Sequence, residues 1–180
     1  MHKRNPPIHI EEHAVKTLLI MRHAKSDYPA HIDSDFERPL NKRGYKDVPR
    51  IARLLRAYGP VPQVVLSSPA VRARQTAEGL ATELGGEIEV RFDENLYLAP
   101  PAALSAAASQ LPQAASCALV VAHNPGLEEW IGVLSGSRVV LPTAGLAAVA
   151  LGGDSWAQLD QGGGALLWYV VPKLLKALQL

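Results

Sequence analysis

Two apolar runs that each stop at a histidine constrain the fold of this chain most. Leu18-Leu19-Ile20-Met21 ends at Arg22-His23, and Leu119-Val120-Val121-Ala122 ends at His123. Short aliphatic runs of this kind read as strands buried on both faces, as in a parallel sheet flanked by helices. In an open sheet of that class, ligands bind just beyond the carboxyl ends of the strands. Both histidines fall at that position. Arg22 adds a guanidinium group, whose forked donors match the oxygens of a phosphate. A neutral imidazole beside it can attack phosphorus. For Arg22-His23 taken alone, a strand closing on two solvated polar residues is the competing explanation.

A third segment, Val64 to Ala77, reads as a strand, a Ser68 cap, Pro69 at the first helical position, then helix. Arg72 falls about one turn into that helix, near the end that favours anions. It is assigned to the site, and Arg74, two residues on, to the surface.

The remaining pattern alternates strands with helices. Strands are expected at about 17–21, 63–66, 88–92, 118–122, 146–151, 156–159 and 165–171. Helices are expected at about 41–58, 69–84, 102–110 and 126–134. Asn41 is a candidate cap, and Pro49 inside the first helix predicts a kink or a late start. The expected fold is a three-layer α/β/α sandwich around a mainly parallel central sheet, formed as a single domain over 17–180. Residues 1–16 are polar, contain Pro6-Pro7 and show no periodicity. They read as a flexible arm, and their three histidines lack the spacing of a metal site.

Composition narrows the partners. Among 180 residues, 18 Lys plus Arg against 17 Asp plus Glu leave a formal net charge of +1. No global field draws in nucleic acid or an anionic membrane, so neither is an expected partner. A single cysteine, Cys117, excludes an internal disulfide and reads as a buried thiol. No run reaches transmembrane length and no signal-peptide core is present. A cytoplasmic protein is expected, with oligomeric state open.

The residues resemble a known family. Arg22-His23, the stretch Ser68 to Thr76 (S-P-x-x-R-A-x-Q-T) and His123 are similar to the signature of the histidine phosphatase superfamily. This is the phosphoglycerate-mutase-like fold. Arg22 to Asp27, Asp35 to Gly44, Leu96-Tyr97 and His123 to Gly126 resemble its SixA-type phosphohistidine phosphatase branch. The resemblance runs from Thr17 to Lys173. Ala24 stands where the superfamily usually has glycine.

The resemblance implies metal-free, cofactor-free phosphoryl transfer in two steps. His23 is the implied nucleophile, and Arg22, Arg72 and His123 surround the transferred group and stabilise its charge. Arg38 resembles an active-site arginine of the branch, with a surface ion pair to Glu37 or Asp35 as the alternative. The carboxylate that many members place two residues after a leucine is missing, because that register reads Leu96-Tyr97-Leu98. Asp35, or Asp27, is the candidate general acid instead, and Glu94 is out of register. A site without a strong acid suits an imidazole leaving group, with a pKa near 6.5, better than an alkoxide. The expected substrate is therefore phosphohistidine in a protein. A small phosphomonoester is the alternative, and a non-catalytic phosphate-binding module is the rival from another class. Asn124 is expected to cap the helix after His123, and Thr143 to stand in a turn.

Overall fold

The structure, a computed structural model, describes residues 15–30, 33–161 and 163–179. Nearly all of the expected arm, with His2, His9 and His13, lies outside the described residues, as does His31 in the loop before Leu40.

Six strands form one sheet in the order β3-β2-β4-β1-β5-β6. They are β1 (Thr17–Arg22), β2 (Val64–Ser67), β3 (Glu89–Phe92), β4 (Cys117–Ala122), β5 (Leu146–Ala150) and β6 (Ala165–Val170). The first four are mutually parallel, and β5 and β6 each run antiparallel to the strand before them in the sheet. The helices are α1 (Lys42–Tyr58), α2 (Val71–Leu84), α3 (Pro101–Ala108), α4 (Gly126–Ser135) and α5 (Pro172–Ala177).

Alternation along β1 divides the core. Leu18 and Ile20 join the cluster under α3 and α4, with Leu104 and Trp130. Leu19 and Met21 join the cluster under α1, α2 and α5, with Ile51, Leu80 and Leu175. Period-two exchange of sides is the geometry of a strand covered on both faces. The expected three-layer α/β/α sandwich is the fold observed.

Three local expectations are corrected. Residues 156–161 form a 3-10 helix rather than a strand. Its buried residues, Trp156 and Leu159, are three apart, the period of that helix. The Trp156 indole donates to the carbonyls of Pro112 and Ala115, which ties the turn to the core. The second helix begins at Val71, with Ala70 as its cap, and not at Pro69. The first helix does not start late. Asn41 caps it, its side-chain oxygen accepting from the amides of Arg43 and Gly44, and the helix continues through Pro49.

The long loop after β1 is pinned at both ends. Ser26 bridges Leu40, and the Asn41 amide donates to the Lys25 carbonyl at 2.9 Å. Gly44 is required where this loop crosses α1, since a Cβ there would collide with the Lys25 carbonyl oxygen.

Candidate active site

Register brings the two histidines together. Arg22 stands opposite Ala122 in the β1–β4 pair, so His23 and His123 are the next residues on adjacent parallel strands. The His23 amide donates to the Ala122 carbonyl at 3.1 Å, and the two imidazole centroids are 5.1 Å apart. Next to β4, the Ser68 amide continues β2 onto Val121. The second residue of α2, Arg72, enters from that side. It is 3% exposed, and Arg74 faces solvent over Phe92, as assigned from sequence.

Arg72 is the hub of the cluster. Its Nε donates to His23 Nε2 at 3.2 Å. One Nη reaches His123 Nδ1 at 3.3 Å and Asp35 Oδ2 at 2.8 Å, and the other reaches the Asp35 carbonyl. Arg22 donates to the Leu141 carbonyl at 3.2 Å and holds a buried Nε–H with no partner in the described structure. Arg38 reaches the site from the loop. It donates to Asp35 Oδ1 at 2.7 Å, to Ser26 Oγ at 2.7 Å and to the Asp27 carbonyl. Both readings of Arg38 are therefore present in one geometry, since it lines the pocket and pairs with Asp35.

The hydrogen bonds assign the tautomers. His23 Nδ1 lies 2.8 Å from the Ala24 carbonyl, so Nδ1 carries the proton and donates, leaving the Nε2 lone pair free to accept from Arg72. His123 has the opposite arrangement. Its Nδ1 accepts from Arg72, so Nε2–H donates to Ser68 Oγ at 2.9 Å. Burial pulls the His23 pKa down to about 4, helped by the charges of Arg72, Arg22 and Arg38 and opposed by the Ala24 carbonyl. Burial, with His23 and Arg72, pulls His123 down to about 3. Both rings are neutral at pH 7.

Asp35 departs from the expected proton donor. Its side chain is 42% exposed and bridges Arg38, Arg72 and the Tyr97 hydroxyl, the last at 2.9 Å. Partial burial favours the acid form, but those three donors outweigh it and hold the carboxyl at about 2. In this arrangement Asp35 is an anion. Asp27 faces away, accepting from the Asn41 amide group, and Glu94 is exposed. Asp35 is the only carboxylate among the described residues lining the roughly 360 Å³ pocket formed by Arg22, His23, Arg38, Arg72 and His123.

Several further residues complete the site in roles that their motifs did not specify. Tyr97 packs edge-on against His123 and lies over the Arg72 guanidinium. Ser68, expected as a cap, accepts from His123 at 2.9 Å and from the Ala70 amide only at 3.4 Å, and its helix has no side-chain cap. The Thr76 hydroxyl accepts from the Ala24 amide and donates to the Arg72 carbonyl, coupling the segment just past β1 to α2. Asn124 does not cap α4. Its amide donates to Glu128 and to the Leu141 carbonyl that also receives Arg22. Thr143 lines the pocket in the turn before β5, and the next residue, Ala144, donates to the carbonyls of both Arg22 and His23. Of these, Thr76 sits four residues after Arg72, a spacing that reaches back along one helix face.

Residues 18–97 match the histidine phosphatase superfamily, branch 1. An uncharacterized protein of Mycobacterium tuberculosis is 34% identical over 164 residues, which cover 85% of this chain and all of that protein. The chain belongs to the histidine phosphatase superfamily. Among solved structures it is similar to the protein histidine phosphatase SixA complexed with tungstate. That likeness has a TM-score of 0.76 and 25% identity, covering 88% of this chain and 99% of that one. It is also similar to a protein from Nakamurella multipartitia provisionally named as the phosphohistidine phosphatase SixA. There the TM-score is 0.77 at 27% identity, covering 88% and 96% of the two chains. These place the chain in the SixA branch of the superfamily, with the phosphatase activity that membership carries.

Proposed function

We propose that the chain removes the phosphoryl group of phosphohistidine in proteins through a covalent intermediate on His23. The observation that carries this reading is a neutral His23 whose unprotonated Nε2 accepts from Arg72 in a pocket it shares with Arg22 and His123, where no described residue is a proton-donating carboxylate. In the first step Nε2 forms a bond to phosphorus while the bond from phosphorus to the substrate imidazole breaks. When the other nitrogen of that ring is protonated, it departs as neutral imidazole and takes no proton from the enzyme. The Ala24 carbonyl accepts from Nδ1–H and stabilises the positive charge that grows on His23. In the second step water attacks phosphorus, the Nε2–P bond breaks, and inorganic phosphate leaves.

The guanidinium groups of Arg22, Arg38 and Arg72 supply positive charge to the phosphoryl oxygens. The Asp35 carboxylate occupies donors of Arg38 and Arg72 that these oxygens would use, so the incoming phosphoryl group displaces it. A cytoplasmic setting belongs to the same reading, supported by the lone buried Cys117. No helix among the described residues is long and apolar enough to cross a membrane.

The test is a side-by-side comparison of a phosphohistidine peptide, p-nitrophenyl phosphate and an alkyl phosphate. The expected kcat/KM places the peptide and the aryl ester above the alkyl ester, because imidazolium titrates at roughly 6.5, a nitro-substituted phenol well below the roughly 10 of tyrosine, and an alcohol at roughly 16. His23→Ala should abolish all three. Faster turnover of the alkyl phosphate would replace this reading with a small-phosphomonoester phosphatase. Unchanged p-nitrophenyl phosphate hydrolysis by His23→Ala would remove the mechanism.

A further inference from the structure

A basic surface lies at the same end of the sheet as the pocket. It is a groove of about 630 Å³ between the first half of α1 and α5. Lys42, Arg43, Lys46, Arg50, Lys173 and Lys176 line it, and Asp47 is the only carboxylate among the described residues that do. In a chain whose formal net charge is +1, this is a strong local concentration of one sign. Lys42, Lys46 and Arg50 follow one another at four-residue spacing and form a row along α1. Asp47 is buried and shared between Arg43 at 3.4 Å and Arg50 at 3.0 Å. The four lysines make no ion pair with any described residue, so their charge is left for a partner.

Topology carries the groove to the active site. Val170, at the end of β6, stands opposite Leu146, and Leu146 stands opposite Met21 of β1. The carboxyl ends of β6 and β1 therefore share one edge, and α5 starts two residues past that edge. α1 starts there too, since Asn41, which precedes Lys42, donates to the carbonyl of Lys25. Lys25 is itself exposed and lines the catalytic pocket. A ligand lying along α1 from Arg50 to Lys42 would thus point toward His23.

We propose that this groove docks an acidic stretch of the phosphoprotein substrate, beside the segment that carries the phosphorylated residue. The proposal rests on the phosphoprotein reading of the site. Lys42 to Arg50 spans about 12 Å of helix, the length of about four residues of extended chain. No aromatic side chain among the described residues lines the groove, which therefore offers no stacking platform of the kind single-stranded nucleic acid uses. A concave surface between two helices also fits a chain better than a planar bilayer.

The experiment uses the full chain and two phosphohistidine peptides, identical except for Asp/Glu or Asn/Gln flanks. The acidic peptide should show a KM about tenfold lower, with similar kcat. The double variant Lys173→Glu/Lys176→Glu should lose that advantage, as should the native protein in roughly 0.5 M salt. Hydrolysis of p-nitrophenyl phosphate by the variant should stay unchanged. Fluorescence anisotropy with the unphosphorylated acidic peptide tests docking independently of the substrate chemistry. If that peptide binds through the lysines while neither phosphopeptide turns over, the groove stands and the phosphohistidine reading falls. Equal binding of acidic and neutral peptides would overturn the proposal. So would native-like binding by the variant, or tighter binding of poly-uridine or phosphatidylserine vesicles through the same lysines.

Discussion

A carboxylate gripped by two guanidinium groups and a phenol resists protonation, and it presents charge where a phosphoryl oxygen would. Asp35 is in that position, paired with Arg38 at 2.7 Å and with Arg72 at 2.8 Å. Its position in the long loop made it legible as a residue of the site. Its state was not legible, because the donors that depress its pKa come from the loop, from α2 and from Tyr97. Asp35→Asn should therefore strengthen inhibition by inorganic phosphate, by roughly three- to tenfold, since a competing anion is removed. The kcat for a phosphohistidine peptide should change by less than about twofold. A loss of about a hundredfold, the lower range for removing a catalytic acid, would restore Asp35 as the proton donor.

At the scale of elements, the site depends on how the loop after β1 seats against α1. Gly44 marks that seat, and a methyl group there meets backbone rather than a flexible side chain. Gly44→Ala should cost about 1–3 kcal/mol in chemical denaturation, as overpacking does, and should lower activity because Lys25 lies two residues past His23 and lines the same pocket. Gly132 in α4 is the contrasting case. A Cβ there would lie 3.6 Å from its nearest neighbour, and helix propensity should make Gly132→Ala about 0.5–1 kcal/mol more stable. Element boundaries followed the sequence closely where periodicity was strong, as in β1, β4 and α1. They failed where one side chain had two possible partners. Ser68 reads as a cap by composition, but His123 takes its hydroxyl, and α2 starts two residues later.

Across the whole molecule, burying two neutral imidazoles ties stability to pH. The unfolded chain binds protons at both rings near the ordinary value of 6.5, whereas the folded chain does so only at about 4 for His23 and about 3 for His123. Below pH 6.5 the unfolded state thus binds more protons, and stability must fall as pH drops toward 4 and beyond. Denaturant midpoints between pH 7.5 and 4 should decline accordingly, and His23→Gln/His123→Gln should flatten the decline. Imidazole ¹⁵N NMR should show His23 protonated at Nδ1 alone at pH 7, with its titration near pH 4.

The sequence by itself determined the layering of the fold and four of the groups that meet at the pocket. Buried strands must be aliphatic on both faces, and Arg22-His23 and His123 stand at the points where two such runs stop. Arg72 could be separated from Arg74 because neighbouring positions on a helix face different ways. Tertiary structure alone decided which tautomer each ring adopts, that Asp35 is an anion, and that Tyr97, Ser68 and Thr76 complete the cluster. It also decided that α1 and α5 merge their lysines into one surface. Those properties arise from donors and charges brought together across tens of residues of chain, and proximity of that kind leaves no periodic trace in the order of amino acids.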